Sequence, residues 1–456
     1  MKNLVTITLI GFLSTSLISK RLRDIPKGVE SKNRISDEKL AKKQEGEYVT
    51  GIAGVTSDPD VGVGFAAVFF YYINGKKSDP YFAYSDFKHR IHASALVSTK
   101  GVKNYSLGWD APFFLNSLFR IRSLLEYTAQ PNLNYYGTGS QSLNPLSFAG
   151  KNYSSYKKFQ QALRSPTGTT TTNAFYDKYA ITLPRLKIFF EREMLGGLLR
   201  PQIGYIFSKL SVNDYSNKEI ESIDGIRRIQ QQTRLSIDND EGLVTGFNGG
   251  IESIARLGFG FDTRDIAANP SKGMFHDFVI DFASPFLGSS FDYISYTLGS
   301  RGFYSLLKGL VMAGRFMYTV RTAGAGNQRT SFNALGNFSS TSVFEIEALG
   351  GFRSIRGFRK GRFRGNAMAL MNLELRYTFY EARAWGQTFD FMVVPFVDTG
   401  SVFESLALSS LPLNSPWPLS GGLALRIVWN QVTVIMFDFA MSKEDSGFYI
   451  NVGHIF

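Results

Sequence analysis

Residues 366–379 alternate in character with a period of two. One set is Ala367, Ala369, Met371, Leu373, Leu375, Tyr377 and Phe379; the other is Asn366, Met368, Leu370, Asn372, Glu374, Arg376 and Thr378. Successive side chains of a β-strand point to opposite faces, so the first set makes an apolar face ending in two aromatics and the second a face that carries charge. The pattern returns in 256–264, where Leu257, Phe259 and Phe261 oppose Arg256, Asp262 and Arg264. It returns again in 433–439, where Thr433, Ile435, Phe437 and Phe439 oppose Val434, Met436 and Asp438. One such strand also fits a soluble sandwich. Three strands with every charge opposite the aromatics fit a barrel whose outside meets lipid and whose lumen is polar.

Other features agree with a membrane barrel. No segment after the N-terminus offers the 18 consecutive apolar residues of a spanning helix. Aromatics make up 14% of the chain and there are 44 glycines, which suits aromatic girdles and closely paired, curved strands. There is no cysteine, so a disulfide framework, a thiolate metal site, a Cys nucleophile and a lipid anchor on an N-terminal Cys are excluded. The net charge of +12 permits nucleic acid or anionic lipid, but the same cations can line a lumen or meet lipid phosphates.

Residues 1–19 read as a secretory signal: Lys2 precedes an uncharged run over 4–18, too short to span as a helix. Residues 20–47 hold nine Lys or Arg and six acidic residues and lack an apolar face, which predicts a loose periplasmic tail. Candidate strands separated by Gly, Asn, Asp, Ser and Pro clusters then recur through 48–456, read as one transmembrane β-barrel. Long outer loops are expected near 137–173, 211–246 and 321–361, with a short exposed helix or disorder in 213–232. Met371, Leu373, Leu375 and Tyr377 should face lipid, and Asn372→Arg should be mild.

Chemical motifs are sparse. Gly62-x-Gly64-x-x-Ala67 has the letters of a dinucleotide fingerprint but runs into Val68–Tyr72, which is strand-like. His89 and His92 are three apart and on a strand face opposite sides, so they do not converge on a metal. No catalytic constellation, metal site or cofactor motif is found, and the chain does not read as an enzyme. The basic run 351–366 interleaves six cations with Phe352, Phe358 and Phe363. Charge with stacking could bind nucleic acid, yet the run leads straight into a membrane strand. A loop folded into a lumen that carries carboxylates is the simpler reading, and no nucleic-acid partner is expected.

At this point the sequence resembles the BamA/TamA family (bacterial surface antigen family) of outer-membrane assembly and translocation barrels. Ile355-Arg356-Gly357-Phe358 is similar to that family's Val-Arg-Gly-Phe/Tyr loop signature. Gly365-Asn366-Ala367 with Leu373-Glu374, Phe396-Val-Asp398-Thr-Gly400, and Asp262-Thr-Arg264-Asp265 followed by Pro270-Ser-Lys-Gly273 resemble its later elements, and Tyr135-Tyr-Gly-Thr-Gly139 an element of some members. The resemblance implies 16 strands, a bacterial outer-membrane location, and Arg356 in contact with Glu374 and Asp398, with Gly357 and Phe358 completing the loop tip. It also implies a barrel assembly signal at the end of the chain, Phe448, Ile450, Val452 and Phe456, all on the lipid face of a strand over 447–456 that closes against one within 48–57. His454 would then sit at the interface.

The family normally carries POTRA domains before the barrel, and 20–47 is too short to hold one. Two functions follow. One is assisting insertion or transport of other outer-membrane or secreted proteins through a weak seam between first and last strands, with Gly51, Gly54, Gly447 and Gly453 beside it. The other is a passive pore or surface-exposed structural barrel. Outer-membrane lipids are partners in both.

Overall fold

The computed structural model describes residues 35, 40 and 43–456, except 166–169, 222–224, 266–268, 324–329, 336, 343–345, 385–386, 404–414 and 430–432. The segment read as a signal and most of the segment read as a tail lie outside the described residues. Where the tail is described it is attached: Lys43 Nζ donates to the carbonyls of Phe82 and Ser85 at 2.6 and 2.8 Å.

Sixteen strands make the wall. In chain order they are β1 Gly46–Asp58, β2 Gly62–Gly75, β3 His89–Ser98, β4 Lys103–Ala111, β5 Phe119–Asn134, β6 Lys178–Arg192, β7 Leu199–Asp214 and β8 Gly250–Asp262. Then follow β9 Gly273–Ala283, β10 Tyr293–Leu307, β11 Leu310–Ala323, β12 Ala367–Ala384, β13 Gln387–Phe403, β14 Leu419–Trp429, β15 Thr433–Ser442 and β16 Ser446–Val452. Each pairs with the next, and β16 returns to β1, so the sheet is a closed antiparallel barrel. Closure satisfies backbone groups that lipid cannot hydrogen-bond.

The period-two reading holds at residue level. Met371, Leu373, Leu375 and Tyr377 are 43, 48, 38 and 46% exposed on the outer face of β12, while Asn372 is 4% exposed inside. Ala367 and Ala369 share the outward parity yet are buried, because Tyr318 and Trp417 pack over them near the strand's outer end. Leu257, Phe259, Phe261 and Phe439 point outward in the same way, and Arg256 and Asp438 are buried inside.

The long connections 135–177, 215–249 and 324–366 lie at one end, which marks it as extracellular, since outer-membrane barrels keep short turns on the periplasmic side. They fold into a cap. Helix α1, Tyr156–Arg164, starts at Ser155, whose side chain accepts from Lys158 N. Its Phe159 and Leu163, four apart, bury against Leu146. The stretch 213–232, expected to be helical or disordered, instead contributes strands Glu219–Glu221 and Arg227–Gln230 to a small sheet with Thr171–Thr172. The helix, α2 Arg234–Asp240, begins just beyond it, capped by Thr233.

The last strand also departs from expectation. β16 ends at Val452, not at 456. Phe448 and Val452 are exposed on the lipid side and Ile450 is half-buried in the wall, but Phe456 is inside the barrel. Gly453 has a φ of +95°, a conformation that favours glycine, and turns the chain inward. Arg315 Nη1 donates to the Ile455 carbonyl at 2.9 Å, and the Arg315 and Arg376 guanidiniums lie 5.0 and 5.2 Å from the Phe456 ring centre. His454 is therefore not at the lipid interface; its Nδ1 is 2.7 Å from Arg426 Nη1. The pairing with arginines overrides the alternation that would have put Phe456 outside.

The outward face of β12 predicts that Leu373→Arg lowers barrel stability by roughly 2–4 kcal/mol near the bilayer midplane. Ser94→Arg, which points into a lumenal cavity of about 620 Å³, should be tolerated. Urea titration of barrels folded in lipid vesicles tests this, and equal losses for both would reverse the assignment of faces.

Candidate functional site: the lumenal arginine cluster and the barrel seam

The connection 324–366 turns back into the barrel. Its apolar residues Phe338, Ile355, Phe358 and Phe363 pack on the inward side chains Met317 of β11, Met368 and Leu370 of β12, and Val402 of β13. That apolar contact carries the loop down to the level of the charged wall residues, and Arg356 is delivered at its tip. Gly357 follows with a φ of +86°, and a Cβ there would stand 3.0 Å from the Met441 backbone, so glycine permits close approach to β15.

The structure brings Arg356, Glu374 and Asp398 together. Arg356 Nε and Nη2 donate to the two Asp398 carboxylate oxygens at 2.7 and 2.9 Å, a fork-on-fork pair. Nη1 donates to Glu374 at 3.2 Å and to Asp438 at 2.6 Å. The backbone N–H of Arg356 adds a bond to Asp398 at 3.2 Å, and the guanidinium lies 3.3 Å above the Phe396 ring centre. Burial works against the Arg356 charge, and Asp398, then Glu374 and Asp438, outweigh it, so its pKa is raised above the ordinary value.

Several members were not named from the sequence. Asp438 binds Arg356 directly; its inward parity in 433–439 was the available signal. Arg426 of β14 donates to both Glu374 oxygens at 2.6 and 2.9 Å, and Arg376 to Glu374 at 3.0 Å. Asn372, expected to be an indifferent lumenal position, donates to Asp398 and to the Ser354 carbonyl, both at 2.7 Å, and accepts from Arg315. An arginine at 372 would sever those bonds and add a cation beside Arg315, so the expectation of a mild effect is withdrawn.

Further along the same loop, Arg359 has partners that the sequence did not offer. Its Nε donates to Asp445, in the β15–β16 turn, at 2.6 Å, and Nη1 donates to the Pro59 carbonyl, in the β1–β2 turn, at 2.8 Å. Lys360 N donates to Asp60 at 2.6 Å. Arg362 binds Glu444 at 2.7 Å, and Gly357 N donates to the Tyr449 hydroxyl at 3.0 Å. The loop thus touches both sides of the seam.

The seam is sparsely paired. All thirteen residues of β1 pair with β2, but β1 meets β16 at one position, Ser57 opposite Ile450. Thr56 Oγ1 adds a bond to the Ile450 carbonyl at 2.6 Å. β16 is seven residues long, short of the 9–11 that a spanning strand needs, because the chain leaves the wall at Gly453.

Closed 16-stranded architecture, an apolar outside and a loop arginine seated on lumenal carboxylates define a class: outer-membrane barrels with an internally anchored loop. The chain belongs to the Omp85 superfamily, whose domain matches residues 90–456. Residues 25–88 match a second family, described as a domain of unknown function, DUF5982. Among solved structures, BamA from Haemophilus ducreyi lacking POTRA domains 1–3 is similar with a TM-score of 0.54 at 13% identity, covering 90% of this chain and 70% of that one. CdiB from Escherichia coli is similar with a TM-score of 0.50 at 10% identity, covering 89% of this chain and 62% of that one. This chain therefore spans less than two thirds of CdiB, and at these identities the likeness is one of fold. No curated protein sequence matches the chain. Family and fold together make this a protein of the bacterial outer membrane.

Removing Arg356 strands buried carboxylates, and breaking a buried ion pair from one side costs about 3–5 kcal/mol. Arg356→Ala should therefore lower the temperature at which the folded band is lost in heat-modifiability gels. Arg356→Lys should not restore it, since an ammonium cannot fork onto Asp398. Arg359→Ala, at a partly exposed site, should cost less, about 1.5–3 kcal/mol, the scale of a hydrogen bond to a charged group, because water can replace part of what its bonds to Asp445 and Pro59 supply. Full recovery by lysine at 356 would show that charge alone, without fork geometry, holds the loop.

Proposed function

We propose that this barrel assists the passage of other polypeptides into or across the outer membrane, with the β1–β16 seam as the element that opens. The observation that carries the reading is the single paired position at that seam. Along the rest of β1 the edge facing β16 keeps backbone donors and acceptors that a neighbouring strand could use, and an unpaired edge is a template for an incoming strand. Addition of an extended segment to such an edge draws affinity from the main chain and so tolerates many client sequences. The family membership supports the same class of activity. A passive pore fits less well, because the loop tip, the 453–456 segment and the outer cap all occupy the lumen's path.

The chain has no cysteine, so a pair placed at Ser57 and Ile450 would be the sole disulfide. The oxidised Ser57→Cys/Ile450→Cys barrel should fail to rescue cells depleted of the wild-type protein, judged by the amount of other outer-membrane proteins, and a reductant should restore rescue. Full rescue by the locked barrel would rule out seam opening. Unchanged outer-membrane proteins on depletion would favour the structural-barrel reading instead.

A further inference from the structure

At the periplasmic end of the lumen a cavity of about 470 Å³ lies between the β5–β11 wall, the loop tip and the inward-turned 453–456 segment. Its lining is unusually basic. Arg120 and Arg122 of β5, Arg200 of β7, Arg264 after β8, Arg301 of β10 and Arg315 of β11 line it along this arc of the wall, and Arg353 reaches it from the loop. Glu191 is the one carboxylate side chain in that lining.

The carboxylates behind these arginines are fewer than the arginines. Arg120 binds Asp110 at 2.7 Å and Arg122 binds Glu191 at 2.6 Å. Asp262 serves both Arg264 at 2.9 Å and Arg200 at 3.5 Å, and Asp277 meets Arg301 at 3.2 Å. In these pairs of described residues, five guanidiniums share four carboxylates. Arg315 is buried, and its hydrogen bonds reach neutral oxygens: Asn372 Oδ1 at 2.9 Å, the Ile455 carbonyl at 2.9 Å and the Arg353 carbonyl at 2.6 Å. A buried cation without a carboxylate in direct contact is costly. The Phe275 ring is in contact with both Arg264 and Arg301, with guanidinium-to-ring distances of 4.6 and 5.1 Å.

We propose that this cavity is a binding site for a phosphate group. Guanidiniums arrive from several strands along the β5–β11 arc and from the loop, and a tetrahedral phosphate presents oxygens in several directions at once. The planar fork of arginine matches two phosphate oxygens. At neutral pH a phosphate monoester carries about −1.5 to −2 charge, which would give Arg315 the direct ion pair that it does not make among the described residues. A carboxylate brings one charge and one plane of oxygens, and so meets fewer of these guanidiniums at once. The phosphate has two physical sources at this end of the barrel: a free phosphate ion from the periplasm or the headgroup of an anionic phospholipid.

The test uses the full chain purified in a non-ionic detergent without phosphate. In one arm inorganic phosphate is titrated while the unfolding temperature and phosphorus NMR linewidth are followed. In the other arm phosphatidylglycerol is added to the mixed micelles and followed by the same readouts. A saturable rise in unfolding temperature in either arm is expected and identifies the source. Arg301→Gln should weaken binding about ten-fold or more. Arg200→Gln, at a partly exposed rim position, should weaken it several-fold with the barrel intact. Absence of saturable binding in both arms overturns the proposal. So does an unchanged affinity in both variants.

Discussion

The Arg356 guanidinium gathers carboxylates from β12, β13 and β15, and the internal loop keeps its place through that contact. Three acids buried side by side in a barrel wall would repel one another and lose water at a cost that no strand pairing offsets. One planar cation with donors on several edges meets them all: a bidentate pair with Asp398 and single bonds to Glu374 and Asp438. Arg426 and Arg376 then satisfy the remaining Glu374 oxygen. The apolar contact of Ile355, Phe358 and Phe363 with the wall brings the loop inward, but it is not directional. The fork geometry sets where the tip stops, and thereby where Arg359 and Arg362 emerge.

Those two residues matter because of what the wall lacks. β16 stops after seven residues, and its continuation is held inside by Arg315 and Arg376. In the register of Ser57 with Ile450, the contacts that seat 453–456 in the lumen therefore take from β1 the partners that would face its residues 51–54. At the outer end, cohesion passes from strand pairing to side chains: Arg359 joins Asp445 to the β1–β2 turn, and Lys360 N reaches Asp60. The barrel is thus closed by two unlike devices, a ladder around fifteen interfaces and a loop-mediated clasp at the sixteenth.

What could be read from the sequence follows what is local. Alternation with a period of two is a property of a single strand, and it oriented Leu373, Glu374 and Asp398 without knowledge of their neighbours. Combined with the family loop signature it was enough to bring Arg356 towards two of its three acids. Asp438 had the same parity but sits 82 residues from Arg356 in the chain, and nothing local says which strands a loop will reach. Phe456 shows the limit in the other direction. Its position continued the series Phe448, Ile450, Val452, and the series ends because Gly453 turns the chain towards arginines on β11 and β12, which no local pattern encodes. The stretch 213–232 failed for a related reason: polar composition does not distinguish a short exposed hairpin from a helix when the partner strand, Thr171–Thr172, comes from another loop.

The two family matches divide the chain at a place where the wall does not divide. One ends at residue 88 and the other begins at residue 90, which is the connection between β2 and β3, in the middle of a continuous sheet. β1 and β2 therefore lie in the stretch that matches one family model and the other fourteen strands in the stretch that matches the other, although β2 pairs with β3 along ten positions. The seam is consequently also a meeting of the two matched stretches, with β1 on one side and β16 on the other. The contacts that cross it, Thr56 to Ile450, Asp60 to Lys360 N and the Pro59 carbonyl to Arg359, all have one partner in each. Strand pairing at β2–β3 needs only backbone register, which any two strands can supply. The β1–β16 edge relies on particular side chains in both parts, so seam strength can change with β1 and its turn while the arginine cluster, which lies wholly within the Omp85 part, stays as it is.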